Sequence, residues 1–242
     1  MSFELQTPVK HLLVDLDGTL LGNKNFSLSI DFVKQSLNTL RKYGGWRKSI
    51  GTLIGINDAL KRKNPDLTND KRVIELFAKR MKMDHEKSRE FLRESLFSIF
   101  PNLEKHFYPV QGAKDFLVWA HGRFPLTLAT NPVWPPEIVE LRVRWAGLDS
   151  KLFTSMTHIR RMHACKPEPE YYQEILAQEG LKAEDCMLIG DDTKMDLPAT
   201  RVGIRVFIVG DYKKPHAYPP RKNDALAYRG SYKDLKKLLE TI

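Results

Sequence analysis

Residues 11–17, HLLVDLD, constrain this chain more than any other segment. A short apolar run stops abruptly at two carboxylates, and Gly18 follows. That form fits a buried parallel strand better than a helix, because an amphipathic helix would spread its apolar residues at a spacing of three and four. Strand-like runs recur at 125–131 (PLTLATN), 152–156, 186–191 (CMLIGD) and 205–210. Helical patterns separate or follow them at 112–123, at 136–147 with a proline in the first turn, at 169–179, at 196–202 and at 232–239. Strands alternating with helices predict an α/β fold, a Rossmann-like doubly wound parallel sheet.

The alternation is interrupted once. After Leu21 the chain reads as helix only: Ile30, Val33, Leu37 and Leu40 keep helical spacing, with Ser29 as a candidate cap and Gly44-Gly45 as the stop. Helices are predicted over 49–63, 69–83 and 84–100, with Asn69 and Asp84 as N-caps and stripes at Val73, Phe77, Met81 and at Leu92, Leu96, Ile99. The expected organisation is a core of residues 1–22 and 107–242 carrying a helical insert at 23–106. The proline-rich stretch 215–220 is expected to be a surface loop.

Composition limits what such a chain does. No apolar run approaches the roughly 20 residues needed to cross a bilayer, and the start MSFELQTPVK lacks the layout of a secretory signal, so a cytoplasmic protein is expected. Cys165 and Cys186 are the only cysteines, too few for a disulfide framework and outside any metal-ligand spacing. Charge is the oddity: 39 Lys and Arg against 30 Asp and Glu give +9. Residues 23–106 hold 18 basic and 10 acidic residues, leaving 21 against 20 elsewhere, so the insert carries nearly all of the excess. That balance fits a polyanion, an acidic membrane surface or small anionic substrates.

Four short segments carry the chemistry, and in an open parallel sheet residues at the carboxyl ends of strands converge on one crevice. In Asp15-Leu16-Asp17-Gly18-Thr19-Leu20, strand periodicity predicts both carboxylates on one side, where a cation or a shared proton must relieve their repulsion. A hard divalent cation with oxygen ligands is the natural partner. Thr130-Asn131-Pro132 ends another strand with a hydroxyl, an amide and backbone N–H groups suited to phosphate oxygens. Lys166 stands just before a helix start, where an ammonium neutralises a phosphate or carboxylate. Gly190-Asp191-Asp192-Thr193-Lys194-Met195-Asp196 crowds three acids at a strand end, costly unless they hold a cation or pair with Lys166.

In these residues and their order the chain resembles the haloacid dehalogenase-like superfamily, whose pattern is DxDGT, a strand ending in Thr or Ser, a Lys, then GDxxxxD. The helical insert occupies the slot of that family's type 1 cap. The resemblance implies a phosphatase using Mg²⁺, with Asp15 as the nucleophile that becomes an aspartyl-phosphate and Asp17 as general acid and then base. It further implies Mg²⁺ held by Asp15, the Asp17 backbone carbonyl and either Asp191 or Asp192, Lys166 oriented by Asp196, and Thr130 with Asn131 gripping the transferred group. Asp17 favours phosphate chemistry over carbon–halogen cleavage, since the superfamily's dehalogenases lack that acid. A phosphomutase would use the same intermediate.

Several features have plainer readings. Trp46-Arg47-Lys48 falls where such a cap presents a specificity loop, and a helix junction with a half-buried Trp accounts for it as well. Residues 158–163, HIRRMH, fit either a cationic crevice rim or a solvated loop. Cys165 reads as a packed small residue. Nucleic-acid binding is disfavoured, because the basic residues interleave with acids along amphipathic helices and no nucleic-acid-binding motif accompanies them. The expected partner is a small phosphorylated substrate.

Overall fold

A computed structural model of the protein describes residues 8–41, 45–62, 64–210 and 226–241. The strands are β1 (His11–Val14), β2 (Leu21–Asn23), β3 (Phe107–Pro109), β4 (Leu126–Leu128), β5 (Ser155–Met156), β6 (Cys186–Gly190), β7 (Arg205–Val209) and β8 (Ala227–Gly230). The helices are α1 (Asn25–Leu40), α2 (Gly45–Lys61), α3 (Asn69–Met81), α4 (His85–Ile99), α5 (Ala113–His121), α6 (Pro136–Trp145), α7 (Pro169–Glu179), α8 (Thr193–Asp196) and α9 (Tyr232–Leu239). Six strands form one parallel sheet in the order β5-β4-β1-β6-β7-β8, which is the expected α/β architecture.

Alternation along each strand explains why both faces of this sheet are covered. Leu12, Val14, Met187, Ile189, Phe207 and Val209 point to one side, against Leu117, Val139, Val143, Leu235 and Leu238 of α5, α6 and α9. Leu13, Leu188, Val206 and Ile208 point to the other, against Tyr171, Tyr172 and Ile175 of α7. Burial on both sides makes the strands near-continuous apolar runs, and at roughly 25 cal/mol per Å² this apolar area is the main force holding the layers together.

β2 and β3 pair antiparallel, Leu21 opposite Pro109 and Asn23 opposite Phe107, so the chain leaves for its helical insert and returns at adjacent points. Gly22 is required there, because a Cβ at this position would overlap the Tyr108 ring. This ribbon escapes a pattern search because three-residue strands have almost no periodicity. The insert has its own small core of Leu40, Phe77 and Met81, with Leu53, Ile56, Phe91 and Leu92 packed around it.

Several boundaries move. α1 starts at Asn25 rather than at Ser29, and α2 at Gly45 rather than at 49, so Trp46-Arg47-Lys48 is the exposed first turn of a helix and not a loop. Asp84 caps α4 as expected, accepting from the Lys87 N–H at 2.8 Å. Asn69 does not cap α3; Thr68 precedes the helix, and the Asn69 side chain is buried in contact with the core. The helix expected at 196–202 is one α turn followed by a 3₁₀ stretch, Leu197–Val202, where Pro198 supplies no N–H. β8 was not expected, and residues 44 and 215–220 lie outside the described residues. No helix among the described residues is long and apolar enough to cross a membrane.

Candidate active site

β1 lies between β4 and β6, so the segments leaving these three strands meet above the middle of the sheet. Asp15 follows β1 directly and is 6 % exposed. The Lys166 ammonium donates to Asp15 Oδ1 and to Asp196 Oδ1, both at 2.7 Å, with all three side chains withdrawn from water. Thr19 donates to Asp15 Oδ2 at 3.1 Å and to Asp191 Oδ1 at 3.3 Å, tying the first and fourth motifs together. Two glycines permit this crowding. Gly18 has φ +81°, and a Cβ there would overlap the Asp191 carboxylate; a Cβ at Gly190 would overlap that of Asp196.

Among the described residues the charges of the site do not balance. Asp15, Asp191 and Asp196 each offer an oxygen within 4.8 Å of one another, and Lys166 is the cation in their midst. Burial, only partly offset by Lys166 and reinforced by Asp196 and Asp17, pushes the Asp15 carboxyl up to about 7. Asp191 is open to solvent on one side; partial withdrawal from water, then Asp196 and Asp192, push it up to about 7 as well. For Lys166, burial opposes the charge, but Asp15 and Asp196 outweigh it and hold the ammonium well above its ordinary value. An undercompensated, all-oxygen acidic cluster fits a hard divalent cation.

Not every expected ligand joins the cluster. β1 ends at Val14, and Asp17 lies beyond it in an isolated bridge to Leu21, with a side chain 41 % exposed. Its carboxylate pairs with Arg142 of α6. The Asp192 carboxylate caps α8, accepting from the backbone N–H groups of Lys194 at 2.8 Å and Met195 at 3.3 Å. Asp191 is therefore the residue of that pair that faces the cluster. Asp196 is placed as expected against Lys166, and its second oxygen accepts from the Asp192 N–H at 3.1 Å.

Thr130 is fully buried and its hydroxyl has no partner among the described residues, while its carbonyl accepts from Thr157 at 2.7 Å and Tyr171 at 2.8 Å. Asn131 Oδ1 accepts from the Lys166 backbone N–H at 3.2 Å, so this side chain links the second motif to the third. The polar side chains of 160–163 have carboxylate partners: Arg160 pairs with Glu137 at 2.9 Å and Arg161 with Glu179 at 2.5 Å, and the His163 ring hydrogen-bonds Glu174 at 2.7 Å. Burial pushes the Cys165 thiol up to about 11, which leaves it inert at neutral pH.

Four residues of the site region have partners that the sequence does not reveal. Thr19 was visible within its motif but had no assigned partner. Arg142 carries a weak signal, a cation in the apolar stripe formed by Ile138, Val139 and Val143. Asn69 carries none beyond its helix-start position, yet its amide donates to the Pro132 carbonyl at 3.1 Å and approaches the Ala164 carbonyl and Cys165 sulfur at 3.4 Å each. Arg72 joins it by donating to the His163 carbonyl at 2.6 Å. The start of α3 is thus fastened to the loops that carry Asn131 and Lys166.

This geometry agrees with comparison to known proteins. The chain is 24 % identical over 205 residues to the pyrophosphatase PpaX of Halalkalibacterium halodurans, covering 84 % of each. Its fold is similar to that of a 2-haloacid dehalogenase from Pseudomonas syringae pv. tomato, with 16 % identity, 96 % and 98 % of the two chains covered and a TM-score of 0.65. It is also similar to a putative hydrolase, YfnB of Bacillus subtilis, solved bound to magnesium, with 18 % identity, 96 % and 99 % covered and a TM-score of 0.55. The model of haloacid dehalogenase-like hydrolases matches residues 9–202, a span that contains all four motifs, and the chain belongs to that family of enzymes.

Proposed function

We propose that this hydrolase is a Mg²⁺-dependent phosphatase that cleaves a small phosphomonoester through an aspartyl-phosphate on Asp15. The observation that carries the reading is the placement of Asp15: a buried carboxylate held by Lys166 and Thr19, inside an acidic cluster too negative to stand alone. Asp15, Asp191 and the Asp17 backbone carbonyl would hold the ion, which when bound offsets the like charges of carboxylate and phosphate. A carboxylate oxygen of Asp15 attacks phosphorus while the bond to the leaving oxygen breaks, and Asp17 gives that oxygen its proton. Asp17, now a base, takes a proton from water as the water attacks the acyl phosphate, releasing inorganic phosphate and restoring Asp15. Lys166 adds positive charge beside the reacting carboxylate, and Asp196 keeps its ammonium in place. The Thr130 hydroxyl, buried without a partner, supplies a donor for a phosphate oxygen.

Residues 23–106 are read as a cap over this site, and 1–22 with 107–242 as the catalytic core. The β2–β3 ribbon, which joins both ends of the insert at one place, supports that division. The cap's excess of basic residues suits small phosphorylated anions. A screen of phosphorylated metabolites for phosphate release tests the reading, with Asp15→Asn and excess chelator as controls. Turnover should vanish in both and return when Mg²⁺ is added back to the chelated wild type. Undiminished turnover by the Asp15→Asn variant would refute the nucleophile, and isomerised sugar phosphate with little free phosphate would indicate a mutase.

A further inference from the structure

Arg142 has no role in the reaction as described, yet its position is unusual. It projects from α6 with a side chain only 4 % exposed, among the buried Ile138, Val139 and Val143. One amino nitrogen, Nη2, pairs with Asp17 Oδ1, and the other, Nη1, is buried with no hydrogen-bond partner among the described residues. Removing a guanidinium from water for a single half-exposed carboxylate, with part of its fork unsatisfied, is a poor way to stabilise a fold. Such expenditure is typical of sites where geometry matters more than stability.

The second partner makes the arrangement more specific. Lys166 takes Asp15 and Asp196, whereas Arg142 takes Asp17, so each acid of the first motif has its own buried cation, reached from a different element. Asp17 lies beyond the end of β1, in an isolated backbone bridge to Leu21 that leaves its side chain unfixed, and a carboxylate so placed samples several rotamers unless something holds it. Arg142 stands on a regular helix packed against the sheet and supplies that fixed point.

We propose that Arg142 is a positioning residue for Asp17, holding the carboxylate in one orientation at the mouth of the site so that it meets the leaving oxygen, and then water, without a search. The inference rests on the acid–base reading of Asp17 given above. Arginine is suited to the task because its planar fork fixes direction as well as distance, whereas a lysine ammonium fixes distance alone.

The test measures kcat for two phosphomonoesters that differ in their need for an acid: 4-nitrophenyl phosphate, whose leaving group departs as a stable anion, and a simple alkyl phosphate, whose leaving group must be protonated. Wild type, Arg142→Met, Arg142→Lys, Asp17→Asn and the Arg142→Met/Asp17→Asn double variant are compared. General acid catalysis contributes roughly 10²–10⁴-fold, and the Asp17→Asn variant should lose about that much more on the alkyl than on the aryl ester. The Arg142→Met variant should show the same bias at about tenfold or more, with Arg142→Lys between it and wild type, and no added bias should appear in the double variant. An Arg142→Met enzyme that loses equally on both esters, or keeps its bias when Asp17 is already Asn, would overturn the positioning role. If Asp17→Asn is itself unbiased, the acid–base reading falls and the positioning role with it, so the two failures are distinguishable. Thermal melts accompany each variant, and if Arg142→Met does not fold, Arg142→Lys, which keeps the charge and most of the volume, decides alone: an unbiased Arg142→Lys enzyme overturns the role.

Discussion

Lys166→Met is the most informative perturbation of the charge cluster, because the cluster has one buried cation and the substitution keeps most of its volume. Its ammonium lies 2.7 Å from both Asp15 and Asp196, and the three side chains are 2 %, 9 % and 1 % exposed. Removing one partner of such a buried pair leaves the others uncompensated, at about 3–5 kcal/mol. For a chain of this size each kcal/mol moves the melting point by roughly 2–4 °C, so the variant should melt about 6–20 °C below wild type at pH 8 in the absence of divalent cations. The pH dependence follows from Asp15, whose carboxyl is already pushed up to about 7 by burial and is held down chiefly by Lys166. Without Lys166 its folded value rises further above the ordinary 3.8. A raised acid costs no stability below its unfolded value and costs progressively more as pH rises through its folded one. The deficit should therefore shrink towards pH 5, where Asp15 takes up a proton, and Mg²⁺ at pH 8 should narrow it by replacing the missing positive charge. Differential scanning calorimetry at pH 5 and pH 8, with and without Mg²⁺, reads all four conditions. A deficit of the same size at both pH values would refute the argument, since lost packing of the lysine stem would then account for it.

The same linkage gives Asp15→Asn an opposite sign. Without divalent cation it should equal wild type in stability near pH 4 and exceed it increasingly through pH 7, by at most about 4 kcal/mol, as measured by paired urea titrations; a wild type that stays the more stable above pH 7 would contradict the raised carboxyl. Gly18→Ala places a methyl group against the Asp191 carboxylate at φ +81°, so Mg²⁺ affinity measured by calorimetry should fall at least tenfold, a loss of about 1.4 kcal/mol; unchanged affinity would remove Asp191 from the ion's ligands. Asn69→Ala strips the amide that fastens α3 to the loops of Asn131 and Lys166, leaving buried carbonyls unpaired at about 1–3 kcal/mol. Hydrogen exchange should quicken in residues 159–166, and unchanged protection there would show that the insert does not brace this loop.

The motifs were legible because each lies at a discontinuity that local physics makes visible: an apolar run ending in acids, a proline-led helix start, three carboxylates within six residues. The same locality marks the strands themselves, since a short apolar run bounded by turn residues needs no knowledge of neighbours. Whatever depended on partners far along the chain was not legible. By local charge alone Asp15 and Asp17 look equivalent in DLDGT, and it is the fold that gives them different cations, Lys166 for Asp15 and Arg142 for Asp17. Asp191 is favoured over Asp192 in the sequence only because it follows Gly190 directly, and it is the capping of α8 that commits Asp192 elsewhere.

The sequence by itself therefore determined the parallel sheet, the position of its helical insert and the identity of the acids and lysine at the strand ends, because these follow from periodicity and local charge density. Tertiary structure decided which acid faces which cation, that Thr19 bridges Asp15 and Asp191, and that Asn69 and Arg72 fasten the insert to the core. Those outcomes turn on distances of a few ångströms between residues up to 172 positions apart. Such distances are set by how strands and helices pack, and no local pattern encodes them.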